Sequence, residues 1–133
     1  MPKPIVIMTV DSKAAFIKLA LAGKKPDSPE MYQAMLDSAM VMESEIKQEL
    51  QDLVYTPPKP WQTSTLMNET QAIGKVTKEN GALVTGVKSN PNYAEAVHEG
   101  RGSNASYGPR PYLTRGGVRA TPEVKRIIKK VFD

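Results

Sequence analysis

The chain has no cysteine and a single histidine, His98. A disulfide framework and a thiolate metal site are therefore excluded, and so, within one chain, are a multi-histidine cluster and a Cys–His nucleophile pair. The lack of cysteine fits a reducing compartment such as the cytoplasm. Long apolar runs are also missing. The stretch Ile5-Val6-Ile7-Met8 falls far short of the roughly 20 residues a membrane helix needs. The opening residues lack the basic, apolar and small-residue succession of a secretory leader. A soluble chain without membrane contact is expected. No Gly-rich phosphate loop precedes a helix and no Gly-x-Ser-x-Gly elbow is present. A serine triad would have to use His98, which stands beside Glu99 in a turn-like segment, where bonding to nearby backbone is its commoner role. The carboxylates gather on one face of a long amphipathic segment, where solvation is the default. These absences predict no catalytic residue, no cofactor and no metal ligand.

At 133 residues the chain is long enough to bury one core without staples, so one domain over 1–133 is expected. The formal net charge of +4 conceals an asymmetry. Residues 1–99 carry ten Lys/Arg against twelve Asp/Glu, whereas residues 100–133 carry eight against two. A basic end of this density suits a nucleic acid or an acidic protein surface. The plainer reading is a solvated helix face plus loop arginines.

Ile5–Val10 is apolar and β-branched, which predicts a strand. Asp11 or Ser12 then reads as the cap of a short helix over 14–21, stopped by Gly23. After a connector at 24–27, Asp27-Ser28-Pro29-Glu30 is a strong helix start: Asp27 and Glu30 have capping-box spacing, while Ser28 with Pro29 offers a cap and first-turn proline. Apolar residues recur at Tyr32, Met35, Leu36, Ala39, Met42, Ile46, Leu50, Leu53 and Val54, a helical period that predicts a core-facing stripe. Asp37, Glu43, Glu45, Glu49 and Asp52 occupy its other face. The prolines at 57, 58 and 60 end this helix, with Trp61 as an anchor. Two strands are expected at 71–79 and 82–88, joined by a type I′ turn at Asn80-Gly81. Residues 93–99 fit either a helical turn or a strand. Gly116-Gly117 permits a bend, and Thr121-Pro122-Glu123 reads as the start of a basic amphipathic terminal helix. Helices followed by strands predict an α+β fold, with an antiparallel sheet packed against the long helix and a C-terminal helix.

The stretch around which the rest is arranged runs from 92 to 120, NYAEAVHEGRGSNASYGPRPYLTRGGVRA. Its polar centre predicts a flexible loop around 100–110, gripped at both ends. Arg101, Arg110, Arg115 and Arg119 interleave with Tyr107 and Tyr112 in a manner that suits nucleic-acid backbones and bases, although no recognisable reader motif accompanies them.

The pattern of Tyr93-Ala94, Glu99-Gly100 and Arg110-Pro111-Tyr112-Leu113, followed by a basic helix, resembles the "gene product ten"-like minor tail or tail-completion proteins of long-tailed DNA bacteriophages. The likeness spans about 5–132. It departs at Thr63-Ser64-Thr65-Leu66, where the family commonly has a Thr-Gly-x-Leu element; a residue with a side chain there implies an ordinary negative φ. The resemblance implies a non-enzymatic virion protein of the tail or neck, assembled in the host bacterial cytoplasm as a homo-oligomeric ring, six-fold or twelve-fold. Its partners would be neighbouring tail or connector proteins, and DNA would pass through it. A ring needs one patch to meet a different patch on the next copy. The acidic long helix and the basic end would be complementary, with Arg110, Arg115 and Arg119 docking on a neighbour's acidic surface or facing the DNA. Tyr93, Glu99, Arg101, Tyr107, Arg110, Tyr112, Arg115 and Arg119 are therefore the candidate interface residues. The alternative is a small basic nucleic-acid-binding protein.

Overall fold

The structure, a computed structural model, describes residues 5–11, 13–20, 28–56 and 62–132. It is α+β: one antiparallel sheet covered on one face by two helices. The expectations placed on Gly23, the 24–27 connector, Asp27 and the 57–61 segment with Trp61 lie outside the described residues.

Strand β1 (Ile5–Val10) forms as its composition dictates, but the next segment is strand β2 (Ala14–Ala20), not the expected helix. Asp11 explains the difference. Its Oδ1 accepts from the amides of Lys13 at 2.7 Å and Ala14 at 2.8 Å, and its own amide donates to the Ala14 carbonyl at 3.0 Å. The same short acceptor serves equally as a helix cap and as the bracket of a tight turn. What decides is the period of two: Ala15, Ile17 and Leu19 are fully buried, while Phe16 and Lys18 point to the opposite face.

Helix α1 (Pro29–Leu53) starts as expected from Ser28, whose hydroxyl accepts from the Met31 amide at 3.1 Å. Met35, Met42, Ile46 and Leu50 are fully buried, so the methionine stripe is core. The helix ends before the prolines, and Gln62 Nε2 donates to the free Val54 carbonyl at 2.6 Å. A short helix, α2 (Thr65–Asn68), follows Ser64, whose φ of −79° is the ordinary negative value expected there. Strands β3 (Thr70–Ala72) and β4 (Thr77–Glu79) together occupy the span expected as one strand, and both pair with β5 (Ala82–Ser89). Between them the four residues 73–76 face only Thr85 and Gly86, an enlarged bulge closed by the Ile73 amide on the Gly86 carbonyl at 2.8 Å. Asn80 and Gly81 have φ of 50° and 80°, the two left-handed residues of a type I′ turn. The sheet order is β1-β2-β5-β3, with β4 also on β5.

The chain then forms α3 (Ala94–Glu99), a 3₁₀ helix (Gly102–Tyr107) and α4 (Tyr112–Phe132). α1 lies over β3 and β5, α4 lies over β1 and β2, and the two helices pack along each other. Gly116-Gly117 makes no bend, and Pro122 does not begin a helix; both lie inside α4. A Cβ on Gly116 would fall 2.4 Å from Ile46 Cγ1 and 2.5 Å from Ile46 Cα, so the glycine is where the two helix backbones meet. Pro122 and the residue four before it, Val118, both lie on the exposed side of α4, where water replaces the donor that proline lacks.

Gly116→Ala is expected to destabilise the fold by about 2 kcal/mol or more, because its added methyl meets helix backbone that cannot move aside. Gly117→Ala, whose methyl would meet only the flexible Met8 side chain at 3.3 Å, is expected to be neutral or stabilising by up to about 1 kcal/mol through helix propensity. Denaturant melts of the two variants measure the contrast.

Candidate functional site

The 92–112 stretch is held at both ends, and its centre is a 3₁₀ turn rather than a free tip. α3 stops at Gly100 (φ 71°, ψ 46°), where the amides of Gly100 and Arg101 both reach the Ala96 carbonyl, at 2.8 and 2.9 Å. A side chain on Gly100 would collide with the backbone of Gly108 and Pro109, with contacts of 2.5 to 2.7 Å. The two ends of the loop therefore touch at a residue that must be glycine. The Gly108 amide donates to Ala105 at 3.2 Å, and the Arg110 amide donates to His98 at 3.2 Å, closing the loop behind it. Arg101 pairs with Glu95 at 3.3 Å on the exposed flank.

Under the loop runs a chain of hydroxyls. Thr70 Oγ1 donates to the Leu66 carbonyl at 2.6 Å and lies 2.8 Å from Ser89 Oγ, which lies 2.8 Å from Tyr112 Oη. Because the Thr70 proton is committed to Leu66, Ser89 donates to Thr70 and Tyr112 donates to Ser89. Tyr112 is fully buried, with the His98 ring edge-on at 5.4 Å. His98 Nδ1 lies 3.1 Å from Glu99 Oε1, and Nε2 lies 3.4 Å from Thr114 Oγ1. His98 is a structural bridge between α3 and α4. Burial pushes the Tyr112 phenol up to about 12, with Ser89, which can turn to donate to a phenolate, pulling part of the way back.

Beside this chain a cleft of about 380 Å³ opens between the end of α1 and the loop. Tyr55, Tyr93 and Tyr107 form its aromatic walls, and Val54, Leu66 and Val97 are its apolar lining. Gln62, Thr63, Asn104 and Arg110 contribute polar atoms. Tyr55 Oη braces the far wall by donating to the Thr63 carbonyl at 2.9 Å; burial raises this phenol too. The Arg110 guanidinium lies over the Tyr107 ring, 4.5 Å from its centroid, and Nη2 donates to Asn104 Oδ1 at 2.8 Å. Its residue is only 8 % exposed, and Nε is buried with no acceptor. Burial holds the Arg110 pKa below the usual arginine range.

Of the eight candidate interface residues, Tyr93, Tyr107 and Arg110 meet at this cleft. Glu99 and Arg101 lie on the exposed side of the loop, and Tyr112 is sealed in the core. Arg115 and Arg119 go elsewhere. Arg115 Nε lies 3.4 Å from Glu49 Oε2, and Arg119 Nη1 lies 3.1 Å from Glu49 Oε1 with its Nε 3.0 Å from Glu45 Oε2. The acidic face of α1 is not simply solvated: Glu49 is buried between two guanidinium groups, and Glu43 accepts from the Ala72 amide at 2.6 Å. The complementarity of acidic helix and basic end is thus used within the chain. A signal for it existed, since Glu45 and Glu49 share the four-residue spacing of Arg115 and Arg119. Tyr55, Gln62 and Asn104 carried none, because only the fold brings them to the cleft. Among the described residues no group of acidic residues and histidine is placed to hold a metal, and no helix is long and apolar enough to cross a membrane. Comparison of the chain with family models, with curated proteins and with solved structures finds no match.

Two outcomes follow from this geometry. The Tyr112 phenol is raised on folding, so its contribution is complete below pH 10 and is lost as pH rises from 10 through about 12. Thermal melts should therefore fall steeply across that window, and Tyr112→Phe should flatten the fall while losing about 1 kcal/mol at neutral pH with the hydrogen bond. Glu49→Lys would place a third cation between Arg115 and Arg119, and should destabilise the chain by more than about 3 kcal/mol. Glu45→Lys, at a more exposed site, should cost much less in the same melts.

Proposed function

We propose that this chain is a structural subunit of a long-tailed phage virion that completes the tail or joins it to the head as a ring of copies, without a catalytic step. One observation carries the reading. The residues on which the family resemblance rests are those that anchor and close the 100–110 loop: Ala94, Tyr112 and Leu113 are fully buried, Gly100 sits at the touching loop ends, and Arg110 is buried beneath the turn. Such a framework presents Tyr93, Arg101 and Tyr107 on a fixed surface, as a subunit contact requires. A head-to-tail ring needs a second, different patch. The edge of β1 is suited to that role. Among the described residues it pairs on one side only, its sequence IVIMTV has no charge to discourage strand addition, and Ile7 is 46 % exposed. Arg115 and Arg119, neutralised inside the chain, hold α4 on α1 and leave the contact to these two surfaces.

A second reading, a small nucleic-acid-binding protein, is favoured by the exposed Lys125, Lys129 and Lys130 of α4. It requires binding that weakens steeply with salt and shows little sequence preference.

Deletion of the gene from its phage or prophage, followed by negative-stain microscopy, tests the proposal. DNA-filled heads beside unattached or abnormally ended tails are expected, and tail lengths in the same images separate completion from termination. Normal infectious particles would refute the virion role. Restoring the gene with Ile7→Lys should leave the protein folded but give few joined particles.

A further inference from the structure

A buried carboxylate and a buried guanidinium are handled in opposite ways in this molecule. Glu49 has two cationic partners within 3.4 Å, whereas Arg110, almost as deeply buried, has no carboxylate within ion-pair distance among the described residues. Its contacts are neutral: the Asn104 side-chain carbonyl at 2.8 Å and the face of Tyr107. Nε is buried without an acceptor. An ionised group out of water without a counter-ion is among the costliest arrangements a fold can hold. Here the unmatched cation lines an open cleft of about 380 Å³. No carboxylate lines that cleft among the described residues.

From this geometry we infer that the cleft is a binding site for a monoanionic carboxylate with an apolar body. One guanidinium balances one negative charge, and among the described residues no second cation lines the cleft to balance a phosphate dianion. The planar fork of arginine matches the two oxygens of a carboxylate. Stacking on Tyr107 and the bond to Asn104 fix the fork before a ligand arrives, which lowers the ordering cost of binding. The rings of Tyr55 and Tyr93 give the apolar body its walls. Two sources present such a group: a free organic acid, or the Glu or Asp side chain of a partner polypeptide flanked by apolar residues. The inference does not depend on the ring reading, because it concerns the isolated chain.

The test uses the full chain in solution and nuclear magnetic resonance of backbone amides and of the Arg110 Nε–H, a resonance that a merely structural arginine would not shift. One arm titrates phenylacetate against phenylacetamide. A second titrates acetyl-Leu-Glu-Leu-amide against its glutamine counterpart, and a third titrates inorganic phosphate. Saturable shifts of Arg110 Nε–H and of the Tyr93, Asn104 and Tyr107 amides are expected, with the neutral analogue at least about tenfold weaker, as the loss of one charged hydrogen bond implies. Tighter binding of phenylacetate points to the free acid, and tighter binding of the peptide points to a polypeptide partner. Arg110→Gln should abolish the preference for the anion. Because Arg110 is buried, Tyr107→Leu at an exposed position serves beside it, and should weaken binding several-fold with an unchanged spectrum elsewhere. Equal shifts with the neutral analogues, shifts remote from the cleft, or tighter engagement of Arg110 Nε–H by phosphate would each overturn the inference.

Discussion

The contact on which the rest of this structure depends is the crossing of α1 and α4 at Ile46 and Gly116. α1 covers one half of the sheet and α4 the other, so neither half of the core closes unless the two helices lie against each other. Close approach gains dispersion contacts along both helices, but only where no side chain intervenes. One helical turn along, Glu49 is enclosed by Arg115 and Arg119. A buried carboxylate is tolerable there because two guanidinium groups complete its hydrogen bonding. The ion pairs do not drive the packing, which the apolar residues of α1 do. They bias how α4 lies on α1, because sliding α4 by one turn would leave Glu49 with only one of its two guanidinium partners.

That crossing also sets where the loop sits. α4 begins at Tyr112, so the helix that packs on α1 carries the anchor of the loop at its first residue. The hydroxyl chain Tyr112–Ser89–Thr70–Leu66 then ties α4 to β5, β3 and α2 in one line through the core. Every bond along it has a defined donor and acceptor, which makes it a specifying device rather than a large source of stability. The cleft follows from the same geometry: the end of α1 forms one side, the closed loop forms the other, and Arg110, two residues before Tyr112, lies between them.

Much of this was legible in the sequence, and the failures have physical causes. The α1 stripe, its Ser28 cap, the Asn80-Gly81 turn and the α+β class rest on local rules that the fold obeys. The sequence of β2 suggests a helix because Asp11 supplies the same hydrogen bonds to a turn as to a cap, and because alanine-rich strands carry little β-branched signal. Gly116-Gly117 suggests a bend and Pro122 a helix start because both residue types usually break helices. Here tertiary contact reverses the sign: Gly116 is favoured by what it touches, and Pro122 is tolerated on a solvated stripe. Tyr93, Tyr107 and Arg110, near one another in sequence, line one cleft, but proximity in sequence does not separate them from Arg115 and Arg119. That distinction requires knowing which way each side chain leaves its element, and α4 turns the later arginines toward α1.

The two sets of arginines sharpen the meaning of the cleft. If burial of charge here served stability alone, Arg110 would resemble Arg115 and Arg119, with a carboxylate supplied by the chain. The chain has such carboxylates close by in sequence, Glu95 and Glu99, yet Glu95 takes Arg101 and Lys13 and Glu99 takes His98. Stacking on Tyr107 and one bond to Asn104 offset only part of the desolvation of the guanidinium, and an apolar side chain at this position would avoid that cost altogether. A cation held rigid, desolvated and without a counter-ion among the described residues, beside an open space, is therefore better explained by what enters that space than by what surrounds it. The loop that bears it is closed at Gly100 and His98 by backbone contacts that do not depend on the guanidinium, so the site and the scaffold that carries it are separable in physical terms.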